Sequence, residues 1–174
     1  MIDRPGGHLA DLFTRVFSDS EGPAEGESIG HLVAGLEATT APSDLHVFTE
    51  MDGHAIIAAI VLTTLAYPED GREILLLSPV AVSTEHQRKG VGSRLIRESL
   101  ASLLSRGTEM VMTYGDPGHY GRFGFRQVSQ DEAASPMPLS QPEGWMACIL
   151  SGRSALPVRG PSRCVPAFRD PAIW

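Results

Sequence analysis

The sequence predicts an α/β domain of the α+β kind, in which helices cover both faces of a mixed sheet. From Leu45 to Val82, short apolar runs alternate with turn signals, a pattern typical of consecutive antiparallel strands. One amphipathic helical pattern then separates the last of these runs from the next apolar run, so this central pair of strands should be parallel. With 174 residues and 42% hydrophobic content, we expect one compact domain over 1–174.

Two amphipathic helices are predicted ahead of the strands. Leu and Phe residues recur at helical spacing from His8 to Phe17, directly after the helix breakers at 5–7. A second apolar stripe covers Ser28 to Glu37, with Ser28 suited to be its N-cap. The segment between them, "EGPAEGE", is interpreted as a loop.

The remaining elements follow in order along the chain. Strands are predicted for "LHVFTE", "AIIAAIVLTTLA" and "EILLLSPVAV", then for "EMVMTYG" after the helix, and finally for "GFRQVS" and "WMACILS". Asp116-Pro117 should begin a short helix, with Asp as N-cap and Pro in the first turn. The core is predicted to span 8–150, and 151–174 to form an irregular, packed C-terminal arm.

Composition excludes several classes of function. The net charge of −7 argues against binding to nucleic acid or to an anionic membrane, and mildly favours cationic small molecules or basic peptides. The two cysteines, Cys148 and Cys164, have no zinc-site spacing, so no metal is expected. The N-terminus has no secretory pattern and no apolar run is long enough to cross a bilayer, so a cytoplasmic protein is expected.

The segment "QRKGVG", Gln87 to Gly92, is a candidate phosphate site. It lies between a strand pattern and a helix pattern, and the first N–H groups of a helix have no intrahelical acceptor, so they attract anions. Gly90 and Gly92 would allow a diphosphate close to the backbone, and Arg88 and Lys89 add positive charge. Taken alone, the segment is equally compatible with an ordinary glycine-bearing turn.

Pro79 lies inside the strand that precedes this loop. Proline cannot donate to a sheet ladder, so the strands should part locally or form a bulge there. Free backbone groups at Val80 to Val82 could then pair with an extended, amide-bearing ligand. The alternative is an edge strand that merely tolerates the proline.

A second motif, "GDPGHYGRFGF", follows the strand after the helix. Tyr120 would lie about one turn into a short helix that begins at the same sheet edge as the phosphate loop. A phenol there could donate a proton to a departing thiolate. Packing in a half-buried position is the alternative role for this tyrosine.

Together, "SPVAVSTEHQRKGVGSRLI" and "YGDPGHYGRFGFRQV" resemble the GNAT superfamily of N-acetyltransferases, and most closely its YhbS-like bacterial branch, over roughly 8–150. The resemblance implies an acyltransferase with acetyl-CoA as co-substrate, a primary amine of a small molecule or peptide as acceptor, and Tyr120 as general acid. It also implies a central strand pair splayed at the cofactor site, and homodimers as a common assembly. The implied cofactor-binding residues are Val80, Ala81, Val82, Gln87, Arg88, Lys89, Gly90, Val91, Gly92 and Ser93.

The sequence departs from the family pattern at two positions. Thr113 stands where many members have an Asn that holds the pantetheine, and Leu76 stands where some have a Glu as general base. The candidates to accept the amine proton are therefore His119, His54, Glu50 or water. Arg122 could contact phosphate, or could pair with a carboxylate such as Asp116.

The acceptor pocket is expected between the first two helices, the turn after Glu50 and the loop 135–144. Met137, Trp145 and Met146 could line it, or could pack in the core. Two other functions stay open: a non-catalytic acyl-CoA-binding domain, and a structural or partner-binding domain with an empty glycine loop.

Overall fold

A computed structural model of the chain describes residues 8–152 and 156–174. The predicted helix breakers at 5–7 and part of the predicted arm, 153–155, lie outside the described residues. The helices are α1 His8–Glu21, α2 Pro23–Thr39, α3 Val91–Ser105 and α4 Pro117–Tyr120. The strands are β1 Leu45–Asp52, β2 Ala55–Thr64, β3 Ile74–Val82, β4 Met110–Tyr114, β5 Arg126–Gln127 and β6 Trp145–Ile149.

The six strands form one mixed sheet in the order β1-β2-β3-β4-β6-β5. The first three strands are antiparallel neighbours, and β3 and β4 are parallel, from Ile74 opposite Met110 to Leu77 opposite Thr113. The helix α3 makes the crossover between them. The predicted fold class is therefore confirmed, including the parallel pair at the centre of the sheet.

Helices pack on both faces of the sheet, and side chains alternate between the two layers along each strand. On one face, α1 and α2 bury residues such as Phe13 and Leu36 against Val61, Leu76 and Met112. On the other face, α3 buries Leu95, Ile96 and Leu103 against Ile60, Leu75 and Val111. We refer to these as the α1/α2 face and the α3 face.

The start of α2 differs from the prediction. The helix begins at Pro23, with Gly22 as N-cap, and Ser28 lies inside it. Proline fits the first turn because its missing N–H would have no partner there. Gly26 is not a loop residue: a Cβ there would overlap Ser18 of α1, so the glycine allows α1 and α2 to pack closely. Pro23 and Gly26 look like loop residues in the sequence, but Pro23 begins the helix and Gly26 allows it to pack closely on α1.

The described part of the C-terminal arm packs against the rest of the domain. It contains two 3₁₀ turns, Pro166–Phe168 and Pro171–Ile173, and it contacts α2. Trp174 is 6% exposed and its indole donates to the carbonyl oxygen of Phe168 at 2.8 Å. Its ring also lies 6.0 Å from the rings of Tyr114 and Trp145, so the arm completes the core of the α1/α2 face.

No helix within residues 8–152 and 156–174 is long and apolar enough to cross a membrane. No group of three or more His, Cys, Asp or Glu side chains there is arranged so that it could hold a metal ion.

The packing of the arm predicts a large loss of stability for Trp174→Ala. Removing a buried tryptophan should lower the free energy of unfolding by about 3–5 kcal/mol, measured by urea denaturation. Leu104→Ala is the control, because Leu104 is 46% exposed and its truncation should cost no more than about 0.5 kcal/mol. A loss below about 1 kcal/mol for Trp174→Ala would contradict a packed role for the arm.

Candidate active site

The candidate site lies where β3 and β4 separate. Their pairing ends at Leu77 and Thr113, and beyond that point β3 continues beside β2 while β4 continues beside β6. The Thr113 hydroxyl donates to the carbonyl oxygen of Leu77 at 2.8 Å, at the last paired position. Pro79 lies two residues after Leu77, so a residue without an N–H stands just beyond the end of the ladder. The result is a wedge between two parallel strands.

The backbone of β3 presents polar groups to this wedge at alternate residues. Ser83 donates its N–H to Ile57 of β2 at 2.7 Å, and Ala81 is opposite Ala59 two residues earlier. Because antiparallel pairs alternate, the N–H and C=O of Ala81 point to β2, whereas those of Val80 and Val82 point into the wedge. Of the three strand residues predicted to hold a ligand, Val80 therefore offers both of its backbone groups and Val82 its N–H, because the Val82 carbonyl oxygen accepts from the Gln87 side chain.

The loop before α3 is shaped by two residues in the left-handed conformation. Arg88 has φ 59° and Gly90 has φ 81°, and only glycine adopts this region without steric cost. The first helical hydrogen bond is that from Arg94 N–H to Gly90 O, at 2.9 Å. Within the described chain, the N–H groups from Arg88 to Ser93 donate to no protein acceptor. They form a run of free donors at a helix N-terminus, which is an anion-binding arrangement.

Gln87 differs from the rest of the predicted loop. Its N–H is 3.4 Å from the carbonyl oxygen of Thr84, and its side-chain amide donates to the carbonyl oxygen of Val82 at 3.0 Å. The side chain therefore ties the loop to the end of β3. Its role is structural in this conformation, while the free donors begin at Arg88.

Close packing brings the start of α3 against β3. A Cβ at Gly92 would lie 3.0 Å from Cγ2 of Val82, and Val91 is buried against the α3 face. Lys89 is exposed at the rim of the loop. The loop and the wedge are consequently neighbours on one face of the sheet.

Tyr120 lies on this same α3 face. Its ring packs 5.6 Å from Phe125, and a Cβ at Gly115 would lie 2.7 Å from its Cε2 atom. Burial raises the pKa of Tyr120, and a hydrogen bond with the side chain of Thr113 partly offsets that effect. Thr113, at the point where the strands part, therefore connects the phenol to the wedge.

Three side chains were candidates to accept the amine proton: Glu50, His54 and His119. None of them is directed at the place where the strands part. Glu50 pairs with Arg94 at 2.7 Å, and His54 is exposed in the turn between β1 and β2. His119 Nδ1 accepts from Arg122 at 2.8 Å, and burial, followed by the charge of Arg122, lowers the pKa of His119. Water is the remaining proton acceptor of those considered from the sequence.

Arg122 does not pair with Asp116, the carboxylate suggested by the sequence. Its guanidinium contacts His119, and Asp116 instead caps α4 by accepting from the N–H of Gly118 at 2.8 Å. The predicted N-cap role of Asp116 is confirmed. None of the ion pairs of the described chain involves Arg122.

A cleft of about 720 Å³ opens on the opposite, α1/α2 face of the sheet. It contains Tyr114, whose hydroxyl accepts from the N–H of Gln141 at 2.8 Å, and it includes the loop predicted for the acceptor pocket. Its charged residues are all acidic. The lining residues are Glu21, Tyr114, Gly115, Asp116, Pro117, Ser140, Gln141, Glu143, Gly144, Ala172, Ile173 and Trp174.

The sequence did not indicate that the C-terminal arm lines this cleft. Ala172, Ile173 and Trp174 form one wall, and a 40 Å³ cavity beside them reaches Leu76 and Ser78 at the parting of the strands. Trp145 and Met146 are buried in the core, and Met137 is half-buried. None of the three is among the residues that line the cleft. The turn after Glu50 does not reach it either.

The chain resembles known proteins along most of its length. Residues 8–128 match the family model described as an acetyltransferase (GNAT) domain. An uncharacterised N-acetyltransferase of Escherichia coli K12, YjhQ, is 30% identical over 161 residues, which is 90% of this chain and 84% of the relative. A second, YhbS of the same strain, is 27% identical over 79% of this chain and 76% of the relative.

Solved structures show the same fold. YhbS from Escherichia coli in complex with CoA aligns with a TM-score of 0.67 at 22% identity, covering 91% of this chain and 86% of that one. A GNAT family acetyltransferase from Brucella melitensis in complex with acetyl-CoA also gives a TM-score of 0.67, at 21% identity and 95% and 94% coverage. With the family match over more than half of its length, the chain belongs to the GNAT acetyltransferase family.

Proposed function

We propose that the protein is an acetyl-CoA-dependent N-acetyltransferase that transfers the acetyl group directly to an amine. One arrangement carries the proposal: free N–H groups from Arg88 to Ser93 adjoin a wedge that receives backbone groups from Val80 and Val82, with Tyr120 on the same face. A diphosphate, an amide-bearing arm and a thioester would meet those groups in that order. The complexes of structural neighbours with CoA and acetyl-CoA support this choice of ligand.

In this proposal each part of the site has one task. The loop N–H groups bind the diphosphate, with Arg88 and Lys89 adding charge at its rim. The polar groups of Val80 and Val82 pair with the amide-bearing arm as a neighbouring strand would. Binding and orientation then provide much of the rate acceleration by proximity.

The chemistry requires three proton movements. A neutral amine attacks the thioester carbonyl, and a strand N–H at the wedge can donate to the oxyanion that forms. When the carbon–sulfur bond breaks, Tyr120 donates its proton to the leaving thiolate, and the phenolate then recovers a proton from solvent. The amine loses its own proton to water, because Glu50 and His119 are already engaged with arginines.

We propose that the acceptor is a cationic amine bound in the cleft on the α1/α2 face. Glu21, Asp116 and Glu143 line that cleft, and it has no lysine, arginine or histidine among its lining residues. Negative potential there attracts an ammonium ion and disfavours acidic acceptors. The amine would reach the thioester through the parting of β3 and β4, where the small cavity beside Leu76 and Ser78 lies.

A second candidate is a non-catalytic acyl-CoA-binding domain. Leu76 favours it, since this buried apolar residue stands where some family members carry a base. Titration calorimetry with acetyl-CoA, together with a thiol-release assay over small amines, polyamines and peptide N-termini, separates the candidates. Binding with release supports the transferase, binding without release supports the second candidate, and no heat at high micromolar ligand contradicts both.

Tyr120→Phe should lower kcat by about 10²-fold or more, because it removes the general acid while keeping the ring. The Kd for CoA, measured by calorimetry, should change by less than about twofold, since the phenol is remote from the phosphate loop. Tyr67→Phe is the matched control: its hydroxyl donates to the carbonyl oxygen of Ala134, away from the site. Normal turnover in Tyr120→Phe, or a large loss of CoA binding, would contradict the assigned role.

The pH profile should show no alkaline fall below about pH 10. Burial raises the pKa of Tyr120 above its ordinary value of 10.0, so the phenol keeps its proton throughout that range. Activity should rise with pH as the acceptor amine loses its proton, and its midpoint should follow the pKa of the amine used. Initial rates from pH 6 to 10 with two amines of different pKa test this, and a fall near pH 8 would contradict it.

Glu143→Gln should raise KM for a dicationic acceptor by about two- to fivefold, the scale of one exposed ion pair, with little change for a monoamine. Glu98→Gln, an exposed carboxylate on α3, serves as the control and should leave both values unchanged. Steady-state thiol-release kinetics at low salt give the comparison. An equal effect on both acceptors would mean that Glu143 does not contact the second charge.

A further inference from the structure

Two arginines on the α3 face flank one aromatic ring. The Cζ atom of Arg97 lies 5.2 Å from the centroid of Phe123, and the Cζ atom of Arg122 lies 5.8 Å from the same centroid. The two guanidinium carbons are therefore within about 11 Å of one another, given that both distances share one centroid. Phe123 is only 9% exposed, so its ring is a buried platform beneath the two guanidinium groups.

Neither guanidinium has a counter-ion in the described chain. The ion pairs there involve Arg72, His86, Arg94 and Arg126, and Arg94 on the same helix is paired with Glu50. Arg97 reaches only the carbonyl oxygen of Ser93, at 3.5 Å, and Arg122 reaches His119. In a protein with net charge −7, two neighbouring cations without a carboxylate indicate a place for an external anion.

The pair is adjacent to the phosphate loop. Ser93 supplies the last free N–H of that loop, and Arg97 lies one helical turn later with its guanidinium turned back to the Ser93 carbonyl oxygen. Arg122 follows Tyr120 by two residues on the neighbouring segment. The pair is thus on the face that would hold the diphosphate, and the acidic cleft is on the other face.

His119 holds Arg122 in place. Its Nδ1 accepts from Arg122 Nη2 at 2.8 Å, and the ring lies 5.5 Å from Phe123. A histidine in this position accepts only while neutral, and burial lowers its pKa in that direction. Arg122 Nε also donates to the carbonyl oxygen of His119 at 3.3 Å, so the guanidinium is oriented while its Nη1 group stays available.

We propose that Arg97 and Arg122 form a second anion subsite, which holds the 3′-phosphate of the CoA moiety; this rests on the proposed function. CoA carries a phosphomonoester on its ribose in addition to the diphosphate, so an anion follows the diphosphate along the same ligand. Arginine suits a phosphomonoester because its planar group donates two parallel hydrogen bonds to phosphate oxygens. The subsite would distinguish CoA from 3′-dephospho-CoA.

The test is calorimetry with CoA and with 3′-dephospho-CoA on the whole chain. The unaltered protein should bind CoA about tenfold more tightly than dephospho-CoA, the scale expected for one charge-assisted contact. Arg97→Gln and Arg122→Gln should each reduce this ratio, and the double variant should bring it close to one. Affinity for dephospho-CoA should stay unchanged in all three, which also shows that each variant is folded.

Arg106→Gln is the matched control. Arg106 follows α3 directly, and its Cζ lies 5.8 Å from the ring of Phe48, so it has the same chemistry away from the loop. The ratio of its affinities for CoA and for 3′-dephospho-CoA should equal that of the unaltered protein. A ratio near one in the unaltered protein, or a tenfold ratio kept in the double variant, overturns the subsite while CoA binding still supports the proposed function. Failure of both ligands to bind overturns the subsite and the proposed function together.

Discussion

The end of hydrogen bonding between β3 and β4 is the constraint on which the rest of the site depends. Up to Leu77 and Thr113 the two strands are ordinary parallel neighbours, and past them each strand is retained only by its outer partner. The Thr113 side chain closes the last rung through the Leu77 carbonyl. Backbone groups that would otherwise be paired are thereby left for a ligand in the interior of the sheet. A change that extended the β3–β4 ladder past Leu77 would shorten the wedge.

Charge is divided between the two faces of the sheet. Cationic side chains and free N–H groups lie on the α3 face around the loop that precedes α3, whereas Glu21, Asp116 and Glu143 lie in the cleft of the opposite face. The overall charge of −7 hides this division. An anionic donor and a cationic acceptor would each meet a complementary field, with the wedge as their meeting point.

Sequence reasoning worked best where local chemistry and element order agreed. The run Gln87 to Gly92 between a strand and a helix, and the cap at Asp116, required only propensities and turn chemistry. It failed where packing decides: the glycines of α2 serve helix contact, and the direction of each β3 amide depends on register with β2. The C-terminal arm has no periodic pattern, so nothing in it indicated that Trp174 would line the cleft on the α1/α2 face. Arg122 likewise contacts His119, whereas the sequence had suggested Asp116 as its partner.

The last two residues of β4 point to opposite faces. Thr113 contacts Tyr120 on one side, and Tyr114 faces the cleft and stacks on Trp174 on the other. In the proposed function, this one strand end separates the side chain that donates the proton from the surface that selects the amine. Substitutions in the loop and arm residues of the cleft would then change the acceptor without touching the residues of the α3 face.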